Sequence, residues 1–292
     1  MSQRAARQPR SNAARIAAGT PQSPSRAVWV AVASVLVVVA AVAAAFLVHS
    51  SNGSASPSGG GGGGGASGSS TAAPAAVVHT VTTLSPAVYD QVGKGSALFV
   101  PKAVTGSPLT NGGKPEIVFM GAEFCPYCAA QRWAVVTALS RFGTFSHLGR
   151  THSSSTDAYP NTQTFSFYRA SYTSPYISFS SLETKTNTGT PLQTPTQQDA
   201  TLQETYNPPG YIPFIDYGNR FVSIGAQVNP QLLQGLSLAQ IAADLKDPSS
   251  PVAQSILGSA NSITATICSL TGGKPGNVCS SAAVKAYAGG AG

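Results

Sequence analysis

The 292-residue chain is poor in charged residues, because Asp, Glu, Lys and Arg make up only 9% of it. Soluble globular domains contain about 25% of these residues, so the composition is unusual for a soluble cytosolic enzyme. The formal net charge of +7 is concentrated at the start of the chain, where the first 26 residues hold five arginines and no acid. The remainder has no cluster of Lys and Arg interleaved with aromatic residues, so no nucleic-acid partner is expected.

Several catalytic and binding patterns are also absent. The sequence shows no Ser/His/Asp arrangement and no paired carboxylates, and its run of seven glycines lacks the Gly-Lys-Ser/Thr ending of a phosphate-binding loop. A zinc site needs four ligands, but the chain has a single CxxC pair and its four histidines show no ligand-type spacing. Neither a hydrolase-type site nor a zinc site is therefore expected.

Long apolar runs are confined to the N-terminal part. Residues 1–26 read as a basic cytoplasmic tail, and Ala27–Val48 form an uncharged stretch of 22 residues, long enough for a single-pass membrane anchor. The small residues near its end leave a cleaved signal peptide as the alternative. Residues 49–76 are rich in Gly and Ser and predict a flexible tether, so residues 77–292 are expected to form one extracytoplasmic domain.

The periodicity of this domain predicts an α/β layout with a mixed sheet. A buried strand is expected over Glu116–Phe124 and a helix from Pro126 to about Phe142. Two more strands are expected downstream, joined by a Gly218-Asn219 turn, and two helices follow. The expected ranges of these last elements are Ile212–Tyr217, Arg220–Ile224, Ser237–Lys246 and Val252–Ser269.

The main chemical motif is Cys125-Pro126-Tyr127-Cys128, within "FMGAEFCPYCAAQRW", where the predicted strand gives way to the predicted helix. A cysteine at a helix N-terminus meets free backbone N–H groups, which lower its pKa and make it a nucleophile. Cys128, one helical turn later, is expected to be more buried and to act as the resolving thiol. The alternatives are a passive disulfide staple and half of a metal site.

Together with the "YIPFIDYGNRF" block, this segment resembles the thioredoxin superfamily over residues 115–246, including secreted DsbA-like disulfide oxidoreductases. The wider pattern is similar to domain-of-unknown-function family 929 over residues 80–288. The resemblance implies a thioredoxin-like mixed sheet flanked by helices, with Cys125 and Cys128 as catalytic residues and no cofactor. It also implies a cis Ile212-Pro213 bond beside the sulfurs, so that Ile212 and Pro213 bind substrate. Tyr127 is expected to contact substrate as well, because it lies between the two cysteines. A trans proline that starts a strand is the alternative for Pro213.

Two features depart from the thioredoxin pattern. Phe119 occupies the place of the buried acid that thioredoxins carry six residues before the first cysteine, and we expect the nearer Glu123 to point toward solvent. About 84 residues separate Cys128 from Pro213, so the Ser/Thr/Tyr-rich residues 150–210 form an elaborated segment. We expect this segment, between the CxxC helix and the cis-Pro strand, to be an insertion or an extended strand pair.

The other two cysteines, Cys268 and Cys279, enclose a loop rich in turn residues. In an oxidising compartment they predict a structural disulfide. A second redox pair that relays electrons to Cys125 and Cys128 is the alternative, but no residue near them activates a thiol.

The sequence therefore predicts a membrane-anchored, extracytoplasmic thiol–disulfide oxidoreductase. Its expected partners are cysteine-containing extracytoplasmic proteins and a redox partner in the membrane or envelope. The missing acid and the oxidising compartment favour oxidation or isomerisation over reduction. A non-catalytic binding module with a structural CxxC disulfide is the main alternative, and metal delivery through the two cysteines is a third.

Overall fold

The structure, a computed structural model, describes residues 70–287. The predicted cytoplasmic tail, the predicted anchor at 27–48 and most of the predicted tether lie outside this range. Within residues 70–287, no helix is both long enough and apolar enough to cross a membrane. Residues 71–76, which the sequence assigns to the tether, already contribute a short strand and the start of a helix.

The chain folds into an α/β structure with a mixed sheet. Its strands are β1 (Thr71–Ala72), β2 (Lys102–Ala103), β3 (Thr110–Asn111), β4 (Lys114–Gly121), β5 (Thr144–Ser146), β6 (Gly149–His152), β7 (Gln163–Ser166), β8 (Ser171–Thr173), β9 (Ser178–Glu183), β10 (Phe214–Tyr217) and β11 (Phe221–Ile224). Its helices are α1 (Ala75–Thr82), α2 (Pro86–Val92), α3 (Pro126–Leu139), α4 (Gln197–Tyr206), α5 (Leu238–Asp244), α6 (Pro251–Leu270), α7 (Gly276–Cys279) and α8 (Ala282–Lys285), with a 3₁₀ turn at Pro230–Leu233.

Strand β4 lies at the centre of the main sheet. It pairs in parallel with β9 and antiparallel with β10, which forms a hairpin with β11, and β2 lies beyond β11. Gly121 at the end of β4 is in register with Glu183 at the end of β9, and Phe214 at the start of β10 pairs with Ile224 at the end of β11. One edge of the sheet therefore collects the segments that contain Cys125, Glu183, Pro213 and Ile224.

Both faces of this sheet are buried, because helices cover each side. Side chains alternate along a strand, so Ile117 and Phe119 of β4 join the larger core with α3 and α6. Val118 and Met120 point the other way, into a smaller core with Leu202 of α4. Strand β4 is accordingly apolar on both faces rather than alternating with polar residues.

The segment 150–210 is more than an insertion. Its first part contains β6 and β7, which form a hairpin beside α3. Its later part supplies β9 of the central sheet and α4, which covers one face of that sheet. The expectation of an insertion or a simple strand pair is therefore wrong for residues 178–206, which belong to the core layers.

Candidate functional site

Cys125 and Cys128 lie where β4 ends and α3 begins. Cys125 is the N-cap of α3, and its Sγ accepts a hydrogen bond of 3.2 Å from the backbone N–H of Cys128. Pro126 occupies the first helical turn, where a missing N–H has no consequence. Cys128 is fully buried and Cys125 is only 5% exposed, and both are free thiols. The two sulfurs thus occupy unequal environments, one at the helix end and one inside the core.

Because the two environments differ, the pKa values of the two thiols are shifted in opposite directions. The hydrogen bond from the Cys128 thiol lowers the pKa of Cys125, and the backbone N–H of Cys128 and the charge of Arg132 act in the same direction against the effect of burial. Burial raises the pKa of Cys128 well above its ordinary value, and the hydrogen bond to Cys125 and the negative charge on Cys125 add to this rise. Cys125 is therefore the more acidic of the two thiols, and Cys128 holds its proton more tightly.

The Ile212–Pro213 segment lies directly beside Cys125. The Ile212–Pro213 peptide bond is cis, and the carbonyl oxygen of Ile212 lies 3.9 Å from Cys125 Sγ. The carbonyl of Pro213 accepts a 2.8 Å hydrogen bond from Gly225, which anchors the segment to the end of β11. Within residues 70–287 the backbone N–H of Ile212 has no acceptor. The structure thus brings together Cys125, Cys128, Ile212 and Pro213, which are far apart in sequence.

Tyr127, the remaining residue predicted to bind substrate, is the exposed member of α3. Its side chain is 43% exposed, whereas the other residues of the helix are buried. Its ring packs edge-on against Tyr159, with 5.9 Å between the ring centroids. Tyr159 belongs to the β6–β7 connection, so this connection lies beside the two cysteines.

Exposed apolar side chains are concentrated around this edge of the sheet. Tyr211 precedes Ile212, and Ile224 is paired with Phe214 at the end of the hairpin. The backbone N–H of Leu98 donates to the carbonyl of Gln227, just after the hairpin. Among the described residues, the exposed large apolar side chains are Leu98, Val100, Tyr127, Tyr211 and Ile224, here called the apolar rim.

A hollow of about 420 Å³ adjoins Ile212 on the α4 side of the sheet. Its lining includes the apolar residues Met120, Leu182, Pro208 and Ile212, together with Gln203 and Glu204 of α4. The hollow is large enough for an apolar side chain, and its lining includes the residue whose carbonyl faces Cys125.

A buried ion pair between Arg132 and Glu183 was not anticipated from the sequence. Nε and Nη2 of Arg132 donate to the two carboxylate oxygens of Glu183 at 2.8 and 2.6 Å, and both side chains are fully buried. Nη2 also donates to the carbonyl of Ala122 at 2.8 Å, and that carbonyl accepts the N–H of Cys125 at 3.3 Å. The available signal was an arginine four residues after Cys128, within a helix whose other residues near this position, apart from Gln131, are apolar.

The prediction that Glu123 points toward solvent is wrong. Glu123 is fully buried, and its carboxylate accepts hydrogen bonds from the hydroxyls of Ser166 at 2.6 Å and Thr151 at 3.3 Å. These hydroxyls belong to β7 and β6, so the hairpin that covers α3 also covers Glu123. Sequence reasoning missed this because the hairpin lies more than 25 residues downstream.

Cys268 and Cys279 form a disulfide with a Cα–Cα distance of 5.5 Å, which joins α6 to α7. Cys268 lies near the end of α6, where Leu270 lines a groove together with Gly218. Gly218 follows β10, whereas Pro213 precedes it, so the disulfide lies toward the end of the sheet opposite Cys125. This separation argues against a direct relay between the two cysteine pairs.

No group of three or more His, Cys, Asp or Glu within residues 70–287 has a metal-binding arrangement.

The comparison with protein families gives one match. The model of the family described as "Domain of unknown function (DUF929)" matches residues 101–269, more than half of the chain. The chain belongs to the DUF929 family. No curated protein and no solved structure matches it. The DUF929 region contains both free cysteines, the Ile212–Pro213 segment and the Arg132–Glu183 pair, but it ends before Cys279.

Proposed function

We propose that this DUF929 protein is a thiol–disulfide oxidoreductase that acts on protein cysteines through Cys125 and Cys128. The observation that carries the proposal is the unequal environment of the two thiols at a helix N-terminus. A lowered pKa makes Cys125 the attacking or leaving sulfur, and full burial keeps Cys128 protonated until it is needed. A passive staple does not need this difference.

The order of the elements supports a thioredoxin-like fold for this domain. The CxxC motif follows the central strand β4 and opens α3, and β9 and α4 come next. The segment with Pro213 then introduces the β10–β11 hairpin, and α6 packs against α3. This order is strand, helix, strand, helix, hairpin, helix, with the proline and the cysteines at the same edge of the sheet.

In the proposed reaction, a thiolate attacks a disulfide and electrons move in pairs. When the protein acts as an oxidant, a substrate thiolate attacks Cys125 Sγ, the Cys125–Cys128 bond breaks, and a mixed disulfide forms. A second substrate thiolate then attacks the substrate sulfur and releases Cys125, so the substrate loses two electrons and the pair gains two. In the reverse direction Cys128 resolves the mixed disulfide. Its pKa falls at that stage, because Cys125 no longer carries a negative charge.

The surroundings of Cys125 fit an extended polypeptide substrate. The free N–H of Ile212 and its carbonyl offer one donor and one acceptor for a peptide backbone, in the manner of an added strand. The apolar rim offers contact area for the side chains of an unfolded or partly folded protein. The proposed substrates are therefore cysteine-containing proteins, and the sulfurs themselves carry the electrons without a cofactor.

We place this reaction outside the cytoplasm, on a membrane-anchored protein. The support is the uncharged stretch 27–48 after five arginines, together with the disulfide of Cys268 and Cys279, a bond typical of oxidising compartments. A membrane or envelope redox partner would then restore the starting redox state of the pair. Protease treatment of intact cells tests the location: an external domain is digested, and a cytoplasmic one is protected.

Trapping tests the activity. The Cys128→Ser variant cannot resolve a mixed disulfide, so it should accumulate covalent adducts with substrate proteins that reducing agents release. Cys125→Ser is the matched control and should form none. If neither variant forms adducts with a reduced or oxidised unfolded protein, the oxidoreductase proposal is wrong.

The burial of Cys125 favours a second candidate, a non-catalytic binding module whose CxxC motif is a permanent disulfide. A cysteine residue that is only 5% exposed is poorly placed for attack by a bulky substrate. The two candidates differ in measurable constants. An apparent Cys125 pKa near the free value of about 8.5, with a reduction potential below about −300 mV, supports the binding module.

A further inference from the structure

Arg132 is the one Lys or Arg side chain within residues 70–287 that is fully buried. Removing a guanidinium from water carries a free-energy penalty of several kcal/mol, which a partner recovers only in part. An apolar side chain at this position of α3 would pack without that penalty. The retained charge therefore calls for an explanation beyond packing.

The hydrogen bonds of Arg132 are unevenly distributed. Glu183 occupies the Nε and Nη2 edge of the guanidinium, whereas Nη1 is buried and has no hydrogen-bond partner among residues 70–287. Nη1 lies on the opposite side of Cζ from the Nε–H. The Glu183 carboxylate therefore binds one edge of the guanidinium, and the Nη1 side receives no hydrogen bond from it. A buried donor without a partner in the resting structure is available to a negative charge that forms during a reaction.

Arg132 is linked to both cysteines. It follows Cys128 by one helical turn, so the two side chains share a face of α3. Nη2 holds the carbonyl of Ala122, which also accepts the N–H of Cys125, and the N–H of Ala122 hydrogen bonds to the Cys128 sulfur. The backbone of a single residue, Ala122, thus connects the guanidinium to both cysteines. The positive charge acts on both thiols.

Glu123 is another buried carboxylate beside the motif, and its oxygens accept hydrogen bonds from Ser166 and Thr151 of the β6–β7 hairpin. The negative charges that act on the guanidinium of Arg132 include Glu183 and any thiolate on Cys125 or Cys128. Reduction of a Cys125–Cys128 disulfide adds a thiolate to the negative charges near Arg132, and oxidation of the two thiols removes it.

We propose that Arg132 is a positioning residue that stabilises the reduced, thiolate form of the pair and so directs electrons from substrate dithiols to the Cys125–Cys128 disulfide. The inference rests on the proposed function and adds the direction of transfer. Stabilising the reduced form of a CxxC pair makes its disulfide a stronger oxidant. The substrate dithiol loses two electrons and two protons and becomes a disulfide. The pair takes up both electrons and one proton, so that one sulfur becomes a thiol and the other remains a thiolate near Arg132, and the second proton passes to the solvent.

The test compares variants that change the charge in opposite ways. Arg132→Met combined with Glu183→Leu replaces the ion pair with apolar side chains, a change that buried pairs often tolerate. Glu183→Gln keeps the cation but removes its counter-charge. Equilibration with reduced and oxidised glutathione gives the redox equilibrium constant, and alkylation rates against pH give the apparent pKa of Cys125. Arg141→Met, at a half-buried arginine that bonds to Asn261, is the control.

The double variant should be about tenfold weaker as an oxidant, a shift of about 30 mV to lower potential, with a higher Cys125 pKa. Glu183→Gln should shift both quantities in the opposite direction, and Arg141→Met should change neither. If Arg132 and Glu183 had a merely structural role, the reduction potential would shift in the same direction in both test variants, which would overturn the proposal. The proposal is also wrong if both variants fold and their reduction potential and Cys125 pKa are unchanged. If the double variant does not fold, the sign of the Glu183→Gln shift decides. Failure of Cys128→Ser trapping in otherwise wild-type protein is a separate result, because it removes the oxidoreductase function itself.

Discussion

The Sγ atom of Cys125 lies 3.9 Å from the carbonyl oxygen of Ile212, although the two residues are 87 positions apart in the sequence. The contact exists because β10 runs antiparallel to β4, which returns the chain to the edge where α3 begins. A substrate backbone that pairs with Ile212 would therefore pass directly over the sulfur. The same edge carries the apolar rim, so recognition and chemistry are adjacent in the proposed enzyme.

The first prediction concerns the reactivity of Cys125. The leading cause of its lowered pKa is the hydrogen bond from the Cys128 thiol, so Cys128→Ala should raise the apparent pKa of Cys125. Because the thiolate is the reacting form, iodoacetamide should then modify Cys125 several-fold more slowly at pH 6 to 7. At pH 10 the two proteins should react at similar rates. Equal rates across the whole pH range would contradict the proposed hydrogen bond.

The second prediction concerns pH and stability, at a site away from the cysteines. Burial, opposed by the N–H of Asn219 and reinforced by Glu116, raises the pKa of Asp216 from 3.8 to about 6. One carboxylate oxygen of Asp216 is buried and has no hydrogen-bond partner in the described part of the chain, residues 70–287. The folded state therefore holds this proton more tightly than the unfolded state. Its stabilising contribution is present below the unfolded value of 3.8 and is lost as the pH rises toward about 6.

Asp216→Asn should accordingly increase the free energy of unfolding at pH 7.5, by roughly 1–3 kcal/mol, since two pKa units correspond to at most about 3 kcal/mol. An asparagine keeps the acceptor for the Asn219 N–H. Urea titrations at pH 4 and 7.5 measure the effect, with Asp157→Asn as the control at an exposed position. The difference between wild type and variant should nearly vanish at pH 4. A variant that is less stable at pH 7.5 would show that the carboxylate is ionised at little cost.

The sequence was sufficient for features that depend on neighbouring residues. Cys125 as N-cap with Pro126 after it, the helix that follows and the turn at Gly218-Asn219 are local patterns, and the structure contains them. The Arg132–Glu183 pair and the burial of Glu123 depend on which distant elements pack together. Propensity and spacing carry no information on that choice, so Glu183 was not singled out and Glu123 was placed in solvent.

The third prediction separates the disulfide from the reaction. Breaking the Cys268–Cys279 bond with Cys268→Ser and Cys279→Ser should lower the free energy of unfolding by about 3 kcal/mol, because its loop spans 11 residues. The bond lies toward the other end of the sheet, so adduct formation by Cys128→Ser should continue in this background below the new melting temperature. Loss of trapping in a folded triple variant would revive the relay between the two cysteine pairs. Thermal unfolding and non-reducing gels give the two readouts.

The last prediction concerns the apolar rim. Tyr211 is 64% exposed and precedes Ile212, so Tyr211→Ser removes contact area for a polypeptide without touching either sulfur. We expect the variant, with its Cys125–Cys128 disulfide formed, to oxidise a reduced unfolded protein several-fold more slowly, because each lost aromatic contact weakens docking. Its reaction with a small disulfide such as oxidised glutathione should be unchanged, since that reagent is too small to span the rim.

Tyr176→Ser, at a tyrosine packed against the core rather than on the rim, is the control for general effects of losing a ring, and its folded fraction is measured alongside. Equal slowing with both reagents would mean that Tyr211 acts on Cys125 itself and not on the substrate chain.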